Sequence, residues 1–249
     1  MLAVRDLTKS FGTMVAVDGI DLDVAGGESV GLVGPNGAGK TTVFNCIFGQ
    51  TRPDAGSVVF EGRDIGSLPT WRRARLGIGR TFQRLEVFPE LTVRDHLLVA
   101  LRVHRHGAKL WRDLLGLGTP GRDEIEAVES VLGAVDLADL ADVPVAALGL
   151  GACRLVELAR AIVTYPRLLL ADEPSSGLDQ HETRELARLL RSLQLARGMG
   201  VLLVEHDLAM VEAVVDRVVV MDLGRVVASG SFREVMGAPE VRRAYLGVP

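Results

Sequence analysis

The stretch "GLVGPNGAGKTT", residues 31–42, decides the fold of this chain. It follows an apolar run that reads as a strand, and a helical pattern begins after it near Thr42. The glycine spacing lets backbone N–H groups approach phosphate oxygens, and the lysine adds a positive charge. Between a strand and a helix start, such a loop is expected to hold the phosphates of a nucleotide. The candidate phosphate-binding residues are Gly34, Pro35, Asn36, Gly37, Ala38, Gly39, Lys40, Thr41 and Thr42.

Two consecutive acids end another predicted strand, in "LLLADEPSSGLDQ" (168–180). Burying two carboxylates side by side is unfavourable unless a cation compensates them. We therefore expect Asp172 and the Thr41 hydroxyl to bind a magnesium ion, and Glu173 to polarise the water that attacks a γ-phosphate. The alternative is that the two acids form only a polar strand end before the turn at Pro174.

Three further polar residues are candidates for the same site. His206, in "LLVEHDLAMV", follows a strand end on the predicted acidic edge, where an imidazole can donate to a γ-phosphate oxygen; a structural histidine is the alternative. Gln83, in "GRTFQR", lies in a turn where its amide either reaches the magnesium ion or the attacking water, or is simply solvated. Asp179 stands three residues before Glu182, which predicts first of all a helix N-cap with a capping-box partner.

Short apolar runs separated by helical patterns predict an α/β fold. The runs lack polar alternation, which favours strands buried on both faces of a parallel sheet. They are "SVGLV" (29–33), "RLLLA" (167–171), "VLLV" (201–204) and "RVVVM" (217–221). The first third of the chain is turn-rich and partly alternating, which predicts a small antiparallel sheet. The stretch from Thr92 to about Tyr165 reads as almost wholly helical, with a surface insertion at 102–124 that is punctuated by Gly and Pro.

Composition limits the classes of function. The chain has 249 residues, which fits one domain, and its net charge of -4 argues against nucleic acid as a partner. No apolar run is long enough to cross a bilayer. Cys46 and Cys153 lie in apolar helical patterns without the spacing of a metal site, which is typical of a reducing compartment. We expect a cytoplasmic protein that reaches any membrane through a partner.

Six elements of the sequence resemble, in the same order, the motifs of the ATP-binding cassette ATPases. They are "GPNGAGKTT", "RTFQR", "LGLGACRLVELARA", "LLLADEP", "SSGLD" and "VEHD". The resemblance covers essentially the whole chain and implies an α/β P-loop NTPase (RecA-like) core with a small antiparallel β subdomain and a helical signature subdomain. It implies a single ATP-binding cassette domain over 1–249, with the helical subdomain at about 92–165 and a C-terminal extension at about 225–249. It also implies ATP and Mg²⁺ as cofactors, and ATP hydrolysis coupled to transport as the activity.

The same resemblance implies residue roles and partners. Phe11 takes the place of the aromatic residue that stacks on adenine, Gln83 lies in the loop that couples the nucleotide to the transport partner, and Asp179 gains a role across a dimer interface. Residues 80–100, the insertion after Leu101 and the ending "RAYLG" (243–247) are similar to the ATPase subunits of branched-chain amino-acid importers, whose relatives also serve urea, amides and other small polar solutes. The implied partners are a second ATPase subunit, transmembrane permease subunits and, indirectly, a solute-binding protein. The chain would then be peripheral on the cytoplasmic face of the membrane.

The predicted helix start "LGLGA" (148–152) departs from the family pattern, which has a serine in second place and a glutamine in fifth. Gly149 and Ala152 lack the side chains that would donate to the γ-phosphate, which implies a loss of roughly 10- to 100-fold in affinity. Gly149 and Gly151 leave the helix N-terminus open for backbone N–H donation, so we expect weak binding there rather than none. The alternative is an ordinary helix start without a ligand. A weak signature also favours a partner ATPase with a stronger one.

Two other functions are alternatives to transport. A soluble ATPase of the same superfamily that acts on DNA or ribosomes would carry a long coiled-coil insert or two tandem cassettes, and this chain has neither. A nucleotide-binding regulator that closes on ATP without useful turnover is favoured by Ala152 and disfavoured by Glu173. The basic tract at 71–75 and the pair His104 and His106 are interpreted as solvated surface.

Overall fold

The four apolar runs of the sequence form the centre of a six-stranded sheet in the computed structural model, which describes residues 1–82, 88–106, 119–238 and 241. With strands numbered in chain order, this sheet contains β3 (Ser29–Val33), β6 (Ile78–Arg80), β7 (Leu168–Asp172), β8 (Gly200–Val204), β9 (Arg217–Asp222) and β10 (Arg225–Gly230). Their order is β10-β9-β3-β8-β7-β6, and every pair is parallel except β9 with β10. All residues of β3, β7 and β8 are buried, which confirms the predicted two-sided burial.

A smaller antiparallel sheet, also predicted, comes from the first third of the chain. It consists of β1 (Leu2–Phe11), β2 (Met14–Val24), β4 (Ala55–Phe60) and β5 (Arg63–Asp64), in the order β2-β1-β4-β5. Its apolar face packs on the core through residues such as Leu2, Val4 and Phe60. Strand β1 ends at Phe11, and this ring is left 49% exposed.

Eight helices are described, again numbered in chain order. They are α1 (Lys40–Phe48), α2 (Thr70–Arg75), α3 (Val93–His106), α4 (Arg122–Ala134), α5 (Leu150–Ile162), α6 (Gln180–Arg197), α7 (Leu208–Val214) and α8 (Phe232–Gly237). Helix α6 begins after Asp179, whose carboxylate accepts from the backbone N–H groups of His181 and Glu182, and it ends at Gly198. The predicted cap and stop of this helix are therefore confirmed. Helix α1 begins at Lys40, two residues before the predicted start, because its N-cap is Gly39.

The stretch predicted to be helical contains α3, α4, α5 and two short 3₁₀ turns, Ala138–Leu140 and Val145–Ala147. Its apolar residues share one core with α6 and with strands β7 and β8. The predicted insertion at 102–124 is too wide, because residues 102–106 continue α3 and residues 122–124 begin α4. An ion pair of 2.9 Å between Arg102 Nη2 and Glu124 Oε2 joins these two ends. The residues 107–118 between them lie outside the described part of the chain.

Two further predictions need correction. The C-terminal extension was expected from about residue 225, but residues 225–230 form strand β10 and pair with β9, so they belong to the main sheet. The tract 71–75 was interpreted as solvated surface; Trp71, Arg72 and Arg75 are exposed, but Arg73 is only 1% exposed. Its Nη1 donates to the carbonyls of Cys46 and Ile47 at 2.6 and 2.8 Å, because the last turn of α1 leaves carbonyls without intrahelical partners. Within the described ranges, no helix has both the length and the apolar character needed to cross a membrane.

Candidate active site

The loop between β3 and α1 has a backbone that only glycine permits at two positions. Gly34 has φ +151°, and a Cβ there would lie 2.1 Å from the carbonyl oxygen of Met221. Gly39 has φ +101°, and a Cβ there would lie 2.3 Å from the carbonyl oxygen of Ala16. The loop is therefore pressed against two neighbouring backbone segments. This contact holds the loop in the shape of an anion-binding concavity at the N-terminus of α1.

Lys40 is the first residue of α1 and is 6% exposed. Its Nζ donates to the carbonyl oxygens of Gly34 and Pro35 at 2.6 and 2.9 Å, so that the ammonium lies across the loop. Burial lowers the pKa of this amine, while the nearby charges of Glu173 and Asp172 oppose that shift. A buried ammonium of this kind gains from an anion, because desolvation weakens the charged form until an opposite charge arrives.

A cleft of about 390 Å³ gathers most of the predicted site residues. Phe11, Glu173 and His206 all line it. The predicted residues that line it are Phe11, Asn36, Gly37, Ala38, Gly39, Lys40, Thr41, Thr42, Glu173 and His206. Gly34 and Pro35 lie behind Lys40 as its hydrogen-bond partners. The structure therefore brings together predicted residues from four separate segments of the chain.

The acidic edge lies where β7 ends. Asp172 is the last residue of β7 and is 3% exposed, and Glu173 follows it. The Glu173 backbone has φ +46°, in the left-handed region, and its N–H donates to the carbonyl of Val204 at 2.8 Å. Glu173 Oε1 and His206 Nε2 are 2.9 Å apart. This contact places an acid and an imidazole on one wall of the cleft, within hydrogen-bond reach of each other.

Two buried charged residues of this edge were missed by the sequence reasoning. The guanidinium of Arg80 contacts the carboxylate of Asp172, with Nη2 and Oδ2 2.8 Å apart. Glu205 is 3% exposed, and its carboxylate accepts from the N–H and the hydroxyl of Ser175 and from the N–H of His206. Glu205 thus joins the turn after Glu173 to the loop that carries His206. The available signals were the position of Arg80 in "RTFQR" and of Glu205 in "VEHD".

The predicted signature residues lie on a different surface. Gly149 is the N-cap of α5, with φ -70° and ψ 166°, and has no side-chain cap. Gly151 lines a second cleft together with Leu178, His181 and Glu182, and none of the phosphate-loop residues lines that cleft. Asp179 caps α6 beside it, and hydrogen bonds from the Glu182 and His181 backbone lower the pKa of its carboxyl. One chain therefore carries two separate sets of predicted nucleotide-contacting residues. Gln83 lies outside the described residues.

The comparisons with known proteins agree with this geometry. A family model described as ABC transporter matches residues 17–176. The high-affinity branched-chain amino acid transport ATP-binding protein BraF of Pseudomonas aeruginosa is 39% identical over 251 residues, which cover 99% of this chain and 98% of the relative. The protein LivG of Escherichia coli, with the same description, is 37% identical over 250 residues, covering 99% and 98%.

Solved structures give the same result. A cassette from an ABC transporter in its ADP conformation has a TM-score of 0.88 at 30% identity and covers 100% of this chain and 99% of its own. A nucleotide-free cassette from an ABC transporter has a TM-score of 0.87, also at 30% identity. The predicted fold class is thereby confirmed. The chain belongs to the ABC transporter family, and it is an ATP-binding ATPase cassette of that family.

Proposed function

We propose that the chain is the ATP-hydrolysing subunit of an importer for branched-chain amino acids or similar small polar solutes. The observation that supports the catalytic part is the cleft that unites the phosphate loop with Glu173 and His206. In this proposal the triphosphate lies along residues 34–42, on backbone N–H groups and Lys40, with the adenine against Phe11. Glu173 polarises the attacking water, and His206 donates to a γ-phosphate oxygen.

The oxygen donors around the cleft fit a magnesium ion that arrives with the nucleotide. Thr41 is exposed in the first turn of α1, and Oδ1 of Asp172 accepts no hydrogen bond from any residue in the described ranges. The described residues contain no group of three or more His, Cys, Asp or Glu that could hold a metal alone. Such a site suits Mg²⁺, which is bound largely by phosphates and water. We assign Thr41 and Asp172 as its protein ligands, with Gln83 as the third expected ligand, and the ion would neutralise charge on the phosphates.

A pair of ATPase subunits follows from the separation of the two sets of residues. The cleft at the phosphate loop and the cleft at the start of α5 have no lining residue in common. A nucleotide can therefore contact both sets only if a second cassette, identical or different, places its α5 start and its Asp179 equivalent against the first. Because these contacts exist only in the closed pair, ATP would favour closure.

A groove of about 610 Å³ supports the proposal that a membrane protein binds this chain. It lies between α2, α3 and α5, and Trp71 at its side is 54% exposed. Its described lining residues include Arg75 and Arg160 and no acidic residue. Charge complementarity favours an acidic and apolar cytoplasmic segment of a permease as the occupant. The chain would then act at the cytoplasmic face of the membrane, and a solute-binding protein would reach it only through the permeases.

The first experiment tests turnover. Phosphate release by the purified chain is compared with release by Glu173→Gln, with ATP affinity measured alongside. Removing the base should reduce the rate by roughly 100-fold or more while ATP affinity changes little, because the amide keeps the shape of the side chain. Equal rates would contradict the assigned role of Glu173. ATP-dependent pairing without phosphate release from the wild type would favour the regulator instead.

The second experiment tests the solute. Its basis is the description of BraF and LivG as branched-chain amino acid transport proteins. Cells that lack the chain are supplied with the wild type or with Glu173→Gln, and uptake of labelled leucine, urea and acetamide is measured. Leucine uptake that only the wild type restores would support the proposal. Restored uptake of urea or acetamide alone would assign the chain to those solutes instead.

A further inference from the structure

Arg80 is a buried cation whose side chain reaches three different parts of the catalytic core. It ends strand β6, and its side chain is 5% exposed. Nη1 donates to Asn45 Oδ1 and Gln50 Oε1, both at 2.8 Å, and Nη2 donates to Asp172 Oδ2, also at 2.8 Å. The guanidinium therefore links the C-terminal end of α1 to the last residue of β7.

Three phenylalanine rings surround the same guanidinium. Its Cζ lies 5.8 Å from the ring centroid of Phe44, 5.6 Å from that of Phe48 and 5.5 Å from that of Phe82. Nε is buried, and no residue in the described ranges gives it a hydrogen-bond partner. The rings and the three side-chain oxygens thus fix the guanidinium in place. A group held this firmly can fix the orientation of whatever it binds.

The two carboxylate oxygens of Asp172 differ in their contacts. Oδ2 is held by Arg80, whereas Oδ1 accepts no hydrogen bond from the part of the chain that the structure describes. The backbone of Asp172 is held as well, because its N–H donates to the hydroxyl of Thr81 at 3.1 Å. A buried carboxylate with one fixed oxygen and one open oxygen is the arrangement in which an outer residue orients a metal ligand.

We propose that Arg80 is the positioning residue of the metal-binding carboxylate: by holding Oδ2 of Asp172, it presents Oδ1 to the magnesium ion that accompanies the nucleotide. The inference rests on the proposed role of Asp172 as a magnesium ligand. It adds a residue from β6, three positions before Gln83 in the sequence, to the machinery of the site. Arg80 itself touches neither the ion nor the nucleotide in this role.

A purely structural role for Arg80 predicts a different outcome. If Arg80 only fills space between α1 and β7, its loss would weaken nucleotide binding equally with and without metal. If it orients Asp172, its loss would weaken only the binding that depends on metal. The informative quantity is therefore the ratio of two ATP affinities, one measured in Mg²⁺ and one in EDTA, because this ratio is the coupling between metal and nucleotide.

The experiment measures that ratio for the full chain by equilibrium binding of a fluorescent ATP analogue. Arg80→Gln removes the positive charge and the planar set of guanidinium donors. Arg80→Lys keeps the charge, but its ammonium cannot reach three partners at once. We expect Arg80→Gln to lower the Mg²⁺ affinity by about 10- to 100-fold and to leave the EDTA affinity within about twofold. Arg80→Lys should lie between this variant and the wild type. The matched control is Arg73→Lys, another buried arginine, which bonds to backbone carbonyls and does not contact Asp172.

Double substitution provides a second readout. In an Asp172→Asn background, Arg80→Gln should change the ratio no further, because the residue through which it acts is already altered. If the Arg80 variants do not fold, Gln50→Ala decides the question, since it removes one anchor of the guanidinium and should lower the Mg²⁺ affinity alone by a few fold.

An unchanged ratio in Arg80→Gln or, where that variant is unfolded, in Gln50→Ala would overturn the inference, whether both affinities fall equally or neither changes. Failure of the proposed function looks different, because the wild type itself would then show no effect of Mg²⁺ on ATP affinity.

Discussion

The starts of α1 and α5 look alike and are constrained differently. Each helix begins on a glycine N-cap, Gly39 or Gly149, and neither cap makes a side-chain hydrogen bond. At Gly39 a Cβ would overlap a neighbouring carbonyl oxygen at 2.3 Å, whereas at Gly149 no atom lies within 4 Å of the Cβ position. The fold therefore requires glycine at the phosphate loop and tolerates other residues at the signature. The residue at position 149 can therefore be selected for function without a steric limit from the fold.

The charges at the two helix starts differ as well. Lys40 lies across the loop at α1 and offers a cation to an incoming phosphate. At α5, a carboxylate oxygen of Glu182 lies 2.7 Å from the position that a Cβ on Gly151 would take. A carboxylate near a helix N-terminus occupies the same field that would attract a phosphate. The start of α1 and the start of α5 are therefore unequal in geometry and in charge.

The largest expected effect tests the steric half of this comparison. Gly39→Ala should abolish measurable ATP binding and lower the free energy of unfolding by at least about 2 kcal/mol, because alanine resists φ +101° and its Cβ overlaps the Ala16 carbonyl. Gly149→Ala should lower the unfolding free energy by less than about 1 kcal/mol and leave ATP binding to the isolated chain unchanged. Urea denaturation and equilibrium binding measure both variants. Similar losses in the two variants would show that the helix starts are equally constrained.

The second expected effect concerns the acidic edge that follows β7 and β8. Glu205→Gln should reduce phosphate release by roughly 10- to 100-fold with ATP affinity nearly unchanged, because the carboxylate holds Ser175 and the His206 loop in register beside Glu173. The matched control is Glu212→Gln, whose side chain is 53% exposed on α7. If both variants hydrolyse ATP at the wild-type rate, Glu205 does not position this edge.

The third prediction restores the residues that the α5 start lacks. Gly149→Ser with Ala152→Gln should strengthen ATP-dependent pairing of the chain by several fold and up to about tenfold, because two donors to the γ-phosphate return. The open space at Gly149 accepts the serine without strain. Sedimentation in a Glu173→Gln background, which keeps ATP intact, measures pairing. Gly133→Ser is the matched control, since a Cβ at Gly133 also meets nothing within 4 Å. Unchanged pairing would mean that the start of α5 is an ordinary helix start.

The smallest expected effect uses a helix whose start is capped. Asp179→Ala should lower the free energy of unfolding by about 1 kcal/mol in the absence of nucleotide, because two backbone N–H groups of α6 lose their acceptor. Thermal or urea unfolding measures the change. A shift as small as that of Gly149→Ala would show that capping contributes equally little at both helices.

The sequence allowed prediction wherever the decisive interactions are local. The apolar runs of β3, β7, β8 and β9 and the capping box of α6 depend on neighbours within a few residues. The buried charges could not be predicted in this way, because Arg80 and Asp172 are 92 positions apart and Glu205 and Ser175 are 30 apart. A lone charged residue in a sequence looks like solvated surface until its distant partner is known.

The backbone conformation of Glu173 sets the stability of the fold against the rate of ATP hydrolysis. At φ +46° a non-glycine residue is disfavoured by about 1 to 2 kcal/mol, so Glu173→Gly should leave the fold as stable or raise its stability by up to about 1 kcal/mol. The same change removes the group assigned to activate water. A laboratory selection for heat resistance alone would therefore drift toward an inert protein at this position. A glutamate at this position therefore favours catalysis at the expense of stability.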